Sequence, residues 1–214
     1  MLLKNADIAM YQAKEYGRNN FKFFHEQMHA DLMEYHELER DIREALHQGQ
    51  FHLAYQPKVN IRINQLQGLE ALLRWNSPTR GNVSPGNFIP VAEESGHIIP
   101  LGYWVLNEVC LTLRSWQDKG LTLVPVSVNV SARQFQQPDF HKRVAEVLRK
   151  HSIDPSLIEI ELTEGLVMED IDSAQRELAQ LKKIGLRISI DDFGTGYSCL
   201  SYLRRFPIDV LKID

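Results

Sequence analysis

The sequence predicts an α/β fold whose parallel strands close into a (β/α) barrel. Short apolar runs alternate with helical segments along most of the chain, which is typical of a parallel sheet with helical crossovers. Within these runs, every second position is aliphatic, and the positions between them carry acidic, amide and basic side chains. We call these two sets of alternate positions the aliphatic and the polar parity. Successive side chains on a strand point to opposite faces, so the polar side chains share one face. In a closed barrel such a face becomes a common interior.

The first 48 residues have a different pattern from the rest of the chain. Residues 6–17 have a helical pattern that ends at Gly17, and residues 19–24 form a short predicted strand. Residues 25–48 form a longer, highly charged helix with a narrow apolar stripe. The stripe predicts a linker helix that packs on one neighbour, or a dimerising coiled coil, rather than a buried core helix.

Alternating strands and helices are predicted from residue 51 onward. The first two strands, at 51–59 and 66–75, are separated only by a polar turn. The other strands are predicted at 124–131, 158–164, 186–192 and 209–214, and the helices at 88–96, 101–120, 138–151, 170–184 and 197–206. Right-handed crossovers allow a doubly wound sheet or a barrel, and the shared polar face favours the barrel.

Composition excludes several classes of protein. A net charge of −4 argues against a protein that coats nucleic acid, because that role usually needs a strongly basic face. Cys110 and Cys199 are far apart in sequence and are predicted to be reduced packing residues in the cytoplasm. No stretch approaches the roughly 18–20 apolar residues that span a bilayer. Any membrane anchor or sensor domain is therefore expected outside this sequence.

The polar parity predicts a metal-dependent active site. Buried acids that converge need a cation or a substrate to compensate their charge. Oxygen donors select hard divalent ions, and active sites of parallel barrels lie at the carboxyl ends of the strands. Two such ions would activate a water and hold the leaving oxygen of a phosphoester. The candidate ligands are Glu70, Asn129, Glu161, Asp191 and Asp192.

Asp191 and Asp192 are adjacent, and a regular strand would point their side chains apart. They come just before the turn FGTG (193–196), so both are expected to reach one ion or two neighbouring ions at the strand end.

Two basic residues share the polar parity. Lys212 is predicted to position the attacking water or to neutralise the developing charge, and Arg74 to bind a substrate phosphate. The alternatives are that Lys212 only neutralises the acids and that Arg74 pairs with Glu70 on the same strand face. Residues 25–29, HEQMH, match the zinc-protease pattern formally, but without an evident third ligand a solvated helix face is the better interpretation.

EALLRW (70–75) resembles the signature of the EAL-domain phosphodiesterases, which hydrolyse the bacterial second messenger cyclic di-GMP to linear pGpG. The resemblance covers roughly residues 38–214 and continues through AYQP (54–57), FIPVAEESG (88–96), SVNVSARQF (127–135), IEIELTE (158–164), DDFGTGYSCLSYL (191–203) and LKID (211–214). It implies a TIM-type (β/α) barrel of the EAL family, with about six of its eight strands present.

The resemblance also implies residue roles. Metal ligands fall on Glu70, Asn129, Glu161, Asp191 and Asp192, around a two-metal site for Mg²⁺ or Mn²⁺. The catalytic group is expected to comprise Lys212, Glu70 and Asp191. Substrate contacts are expected from Gln56, Arg74 and Asp214, and Glu164 is expected to brace the loop after DDFG.

Residues 1–24 resemble the last helix and strand of a GGDEF diguanylate cyclase domain. A linker or signalling helix at 25–48 and an EAL domain at 49–214, ending at the sixth barrel strand, are therefore expected. The expected partners are cyclic di-GMP and a second copy of the chain. Two alternatives remain open: a non-hydrolytic cyclic di-GMP receptor, and an inactive fragment of the phosphodiesterase.

Overall fold

The computed structural model of this chain describes residues 5, 6, 9, 10, 21, 23–194 and 205–213. The helices predicted at 6–17 and 197–206 lie largely outside the described residues, and Asp214 lies outside them altogether. Of the strand predicted at 19–24, the structure describes Phe21, Phe23 and Phe24, and they form no strand.

Helices and strands alternate as expected from residue 51 onward. The helices are α1 (Glu26–Gln48), α2 (Pro85–Ser95), α3 (Ile98–Asp118), α4 (Ala132–Phe135), α5 (Phe140–His151), α6 (Glu164–Glu169) and α7 (Ile171–Ile184). The strands are β1 (Phe51–Asn60), β2 (Gln65–Ser77), β3 (Gly81–Val83), β4 (Val126–Asn129), β5 (Ile158–Thr163), β6 (Arg187–Phe193) and β7 (Val210–Ile213). Among these helices, none is both long enough and apolar enough to cross a membrane.

The strands form one sheet in the order β1-β2-β4-β5-β6-β7, with β3 beside β2. Neighbours from β2 through β7 along this path are parallel. Strand β1 is antiparallel to β2, so the parallel arrangement expected of the strand–helix units does not extend to the first strand. The physical reason is the short connection, because a parallel crossover needs a dozen or more residues.

The sheet is strongly curved. Lys212 on β7 and Glu70 on β2 are separated by three intervening strands, which on a flat sheet would put them about 19 Å apart. Their side chains nevertheless meet, with Lys212 Nζ 3.5 Å from Glu70 Oε2. This confirms the α/β fold with a mainly parallel sheet, consistent with part of a TIM-type barrel.

The aliphatic parity of the strands forms the main core under the helices. Val128, Ile160 and Ile188 pack in one cluster with side chains of α3, α5 and α7. Each such burial contributes roughly 1.5–3 kcal/mol. Cys110 lies in this cluster, and burial raises the pKa of its thiol to about 12, as suits a packing residue. Cys199 lies outside the described residues.

The stripe on α1 packs against its own chain, which is the first of the two predicted alternatives. Leu38, Ile42 and Ala45 are buried in a second cluster with Phe51 and Trp75. The second half of α1 is therefore part of the folded domain rather than a free linker.

Candidate active site

The strand register aligns the polar side chains in the interior of the curved sheet. Glu70 on β2 lies opposite Ser127 on β4, and Ser127 lies opposite Glu159 on β5. One level nearer the carboxyl ends, Asn129 lies opposite Glu161. Three of these residues are at most 5% exposed, namely Ser127, Glu159 and Glu161. The predicted polar face is thus buried at Ser127, Glu159 and Glu161, whereas Glu70 is half-buried and Asn129 is exposed.

Four of the predicted metal ligands come together around one lysine. Lys212 Nζ contacts Glu161 Oε1 and lies 2.7 Å from Asp191 Oδ2. It also lies 3.5 Å from Glu70 Oε2. Asn129 Nδ2 donates to the other oxygen of Glu70 at 2.9 Å. Side chains from five strands, β2, β4, β5, β6 and β7, therefore meet at one place.

A break in strand regularity separates Asp191 from Asp192. The register between β6 and β7 shifts between Ile190 and Phe193, and Asp192 has a left-handed φ of 54°. This conformation is uncommon outside glycine but several-fold enriched for aspartate. The backbone N–H of Asp192 donates to Asp191 Oδ1 at 2.9 Å. The simple alternation that would send the two carboxylates to opposite faces no longer applies. Asp192 is exposed, and its role as a ligand stays a prediction.

The contact between Glu161 and Asp191 changes the proton affinity of both. Burial and the neighbouring Asp191 carboxylate raise the pKa of Glu161 to about 7, despite opposing effects of Lys212 and Lys58. Burial alone would raise the pKa of Asp191, but its contacts with Glu161 and Lys212 hold the pKa below its usual value. Such a pair carries less than two full negative charges unless cations compensate it.

The donor set is composed of oxygen ligands, as hard divalent ions require. Within the residues that the structure describes, no three acidic, histidine or cysteine side chains are placed so that they could hold a metal ion as they stand, because Lys212 lies among the acids. The same holds for HEQMH (25–29), where α1 begins, so the zinc interpretation gains no support. By donor chemistry, the four carboxylates and the amide suit a hard divalent ion.

A cavity of about 510 Å³ adjoins the acids. Asn129 and Glu161 line it together with Arg74, and its other walls include Leu73 and Leu101. The Arg74 guanidinium donates to the Leu73 carbonyl at 2.9 Å. The Glu70 carboxylate is hydrogen-bonded to Asn129 and Lys212, so the alternative of an Arg74–Glu70 pair is not the arrangement observed. Arg74 thus lies at the cavity wall and is held there by its contact with the Leu73 carbonyl.

The remaining predicted residues lie around this centre. Gln56 is opposite Glu70 in the β1–β2 register, and both line a smaller cavity of about 260 Å³ with Lys212. Glu164 Oε2 accepts from the backbone N–H of Gly194 at 3.0 Å, at the loop that it is expected to brace. Asp214 lies outside the described residues.

The sequence interpretation missed Lys58. Its Nζ lies 2.5 Å from Ser127 Oγ, 3.1 Å from Glu159 Oε1 and 3.3 Å from Glu161 Oε2. Burial would raise the pKa of Glu159, but Ser127 and Lys58 outweigh burial and lower it. The available signal was parity, because Lys58 lies two residues beyond Gln56 on the same strand face.

The EAL domain family model matches residues 39–214. The chain is 46% identical over 213 residues to the bifunctional diguanylate cyclase/cyclic di-GMP phosphodiesterase MucR of Pseudomonas aeruginosa, covering 100% of this chain and 31% of that protein. It is 43% identical to the cyclic di-GMP phosphodiesterase PdeR of Escherichia coli, covering 100% of this chain and 32% of that protein. The chain therefore spans about a third of the length of these curated relatives.

Solved structures show the same fold. The PaMucR phosphodiesterase in complex with c-di-GMP superposes with a TM-score of 0.80 at 46% identity, over 83% of this chain and 72% of that chain. The EAL enzyme Bd1971, bound to cAMP and cyclic di-GMP, superposes with a TM-score of 0.79 at 36% identity, over 100% of this chain and 56% of that chain.

Proposed function

Because the chain belongs to the EAL-domain family, we propose that it hydrolyses cyclic di-GMP to linear pGpG with the help of Mg²⁺ or Mn²⁺. The observation that supports this most strongly is the convergence of Glu70, Glu161 and Asp191 on Lys212 Nζ. The relatives MucR and PdeR carry phosphodiesterase names, and the PaMucR structure is a c-di-GMP complex. We propose the same activity for the whole protein to which this chain belongs.

Glu70, Asn129, Glu161, Asp191 and Asp192 would hold the metal ions. When bound, the ions supply charge neutralisation at the phosphate and a more acidic water. Arg74 at the wall of the larger cavity would bind a phosphate oxygen through paired N–H donors.

Lys212 would act on the water and the phosphate. Its Nζ lies among the carboxylates, where it can orient a water and offset the negative charge that develops on phosphorus. The water oxygen forms a new bond to phosphorus, and the bond from phosphorus to one 3′ oxygen breaks. That oxygen leaves with a proton, and the product carries a 5′-phosphate, as in pGpG.

We extend the proposal to the organisation of the protein. Residues 1–24 are proposed to end a GGDEF domain, and residues 49–214 to belong to the EAL domain. Residues 25–48 are proposed to connect the two, with the second half of this helix packed on the EAL domain. The name of the bifunctional relative, which is similar along the whole of this chain, supports this division. We also propose that the protein is cytoplasmic and that it forms a homodimer.

The direct test is incubation of cyclic di-GMP with the chain and Mn²⁺, with pGpG followed by chromatography. Glu70→Gln and Glu161→Gln should each lower turnover on the order of 100-fold or more, because each removes a charged ligand. Chelation should abolish turnover. Glu146→Gln, which changes an exposed carboxylate on α5, is the matched control and should keep wild-type turnover.

Turnover like the wild type in Glu70→Gln or Glu161→Gln would contradict the metal assignment. Tight binding of cyclic di-GMP without any product would favour the receptor alternative instead.

A further inference from the structure

We propose that Lys58 is a positioning residue for Glu161, the most buried of the proposed metal ligands. This rests on the proposed function, since it concerns the same metal site. Lys58 would hold one oxygen of the Glu161 carboxylate and thereby leave the other aimed at the ions.

The two oxygens of Glu161 have different partners. Lys58 Nζ lies 3.3 Å from Oε2, whereas Lys212 contacts Oε1 beside Asp191. Lys58 therefore holds the carboxylate at Oε2, while Oε1 faces the acid cluster and contacts Lys212. A ligand whose orientation is held in this way binds a metal more tightly than a free one.

Lys58 is itself held in place by two further acceptors. Ser127 Oγ lies 2.5 Å and Glu159 Oε1 lies 3.1 Å from its Nζ, and Ser127 also donates to Glu159 at 2.6 Å. Three oxygens from β4 and β5 thus fix one ammonium group. Because Glu159 and Glu161 share one face of β5, Lys58 also keeps these two buried carboxylates from repelling each other.

The side chain of Lys58 passes over the backbone of β2. Lys58 lies opposite Gly68 in the β1–β2 register. A Cβ at Gly68 would lie 3.0 Å from the Pro125 carbonyl oxygen and 4.0 Å from Lys58 Cδ. The lysine stem thus crosses β2 next to Gly68 and reaches β4 and β5.

The test must separate geometry from charge, because loss of a cation alone would make the interior more attractive to Mn²⁺. Lys58→Met combined with Glu159→Gln removes both members of the ion pair and leaves the net charge unchanged. The matched control is Arg80→Met with Asp41→Asn, which removes another half-buried pair, with a 2.8 Å contact between α1 and the β2–β3 turn. Binding of Mn²⁺ alone is measured by calorimetry, and folding by thermal melting.

The interior double variant should bind Mn²⁺ about 10-fold more weakly than the wild type, and the control pair should bind it equally well. Lys58→Arg keeps the charge but not the compact ammonium, so it should also weaken Mn²⁺ binding. If the double variant does not fold, Lys58→Arg is the variant that tests the proposal.

Wild-type affinity in every folded Lys58 variant would overturn the positioning role and leave the proposed function intact, provided that the wild type binds Mn²⁺ and makes pGpG. Tighter binding in the double variant would overturn it as well. A wild-type chain that binds no Mn²⁺ would overturn this inference and the metal-dependent function together.

Discussion

Gly102 on α3 lies against the buried side chain of Gln134. A Cβ at this position would overlap Gln134 Nε2 and lie 2.5 Å from its Cδ. Gln134 and Ser131 cap α4 reciprocally, through backbone and side-chain contacts. Gly102→Ala should displace Gln134 and lose that cap, at about 1–2 kcal/mol. This exceeds the gain of up to about 1 kcal/mol of alanine over glycine in a helix. Urea unfolding should therefore show net destabilisation.

Gly165→Ala on α6 is the matched control, because nothing lies within 4 Å of the added Cβ. It should be neutral or stabilising by up to about 1 kcal/mol. A Gly102→Ala chain as stable as Gly165→Ala would mean that Gln134 moves aside without cost.

Asp209 predicts a specific pH dependence of stability. Its carboxylate accepts from Lys182 Nζ at 2.8 Å and from the Ile188 N–H at 2.8 Å. Burial alone would raise the pKa of Asp209, but these two donors outweigh it and lower the pKa. A group with a lowered folded pKa stabilises the fold above its unfolded pKa of about 3.9, and this stabilisation is lost as the pH falls through the folded value.

Asp209→Asn should thus lower the free energy of unfolding by about 1 kcal/mol near pH 7, a figure reduced for partial exposure. The gap between wild type and variant should narrow as the pH falls below about 4. Chemical unfolding at several pH values measures this difference in the free energy of unfolding. The control is Asp118→Asn, which changes an exposed carboxylate and should alter the free energy of unfolding little. A gap that is constant down to pH 2 would rule out the ionised carboxylate as its source.

At the scale of elements, α1 is held to the domain by both packing and charge. Ile42 is fully buried among Phe51, Trp75 and neighbouring side chains, and Asp41 pairs with Arg80 at 2.8 Å. Ile42→Ala should cost about 2–4 kcal/mol, because the helix cannot collapse into the cavity completely.

Met33→Ala on the same helix is the control, since Met33 is 51% exposed and should change stability by less than about 0.5 kcal/mol. Both values can be measured by urea unfolding. Equal, small effects would mean that α1 undocks freely, as expected of a linker alone.

Local alternation was enough to predict most of the interior. Glu70, Glu161 and Asp191 each occupy the polar parity of their own strand. This assignment needs only the alternation of side chains along that strand. The same alternation puts Lys58 on the face of Gln56, but its contacts with β4 and β5 depend on the β1–β2 register, which alternation does not specify. The direction of β1 follows from loop length, and the sequence already showed that its turn was short.

Other features depended on backbone conformation that no residue pattern specifies. The left-handed φ of Asp192 and the register shift beside it decide how two adjacent carboxylates are presented. Their motif could be recognised by resemblance, whereas the bulge that breaks the alternation is visible only in the structure.

At the scale of the whole molecule, the proposed ligands draw on four different strands. Glu70, Asn129, Glu161 and Asp191 belong to β2, β4, β5 and β6, so an ion bound by them would cross-link the curved sheet. Only the folded chain brings them together, and ligands that bind the folded state alone stabilise it. Mn²⁺ at about 100 times its dissociation constant should add about 2.7 kcal/mol. For a chain of this size that is a rise in Tm of about 5–10 °C.

The rise should disappear in Glu161→Gln and persist in Glu146→Gln, as measured by thermal melting with and without Mn²⁺. Glu161 is the discriminating position, because it is buried and meets both Asp191 and Lys212, whereas Glu146 is exposed on α5. An equal rise in both variants would mean that Mn²⁺ stabilises the chain through surface carboxylates. The sheet interior would then not be the place where the ion links the strands.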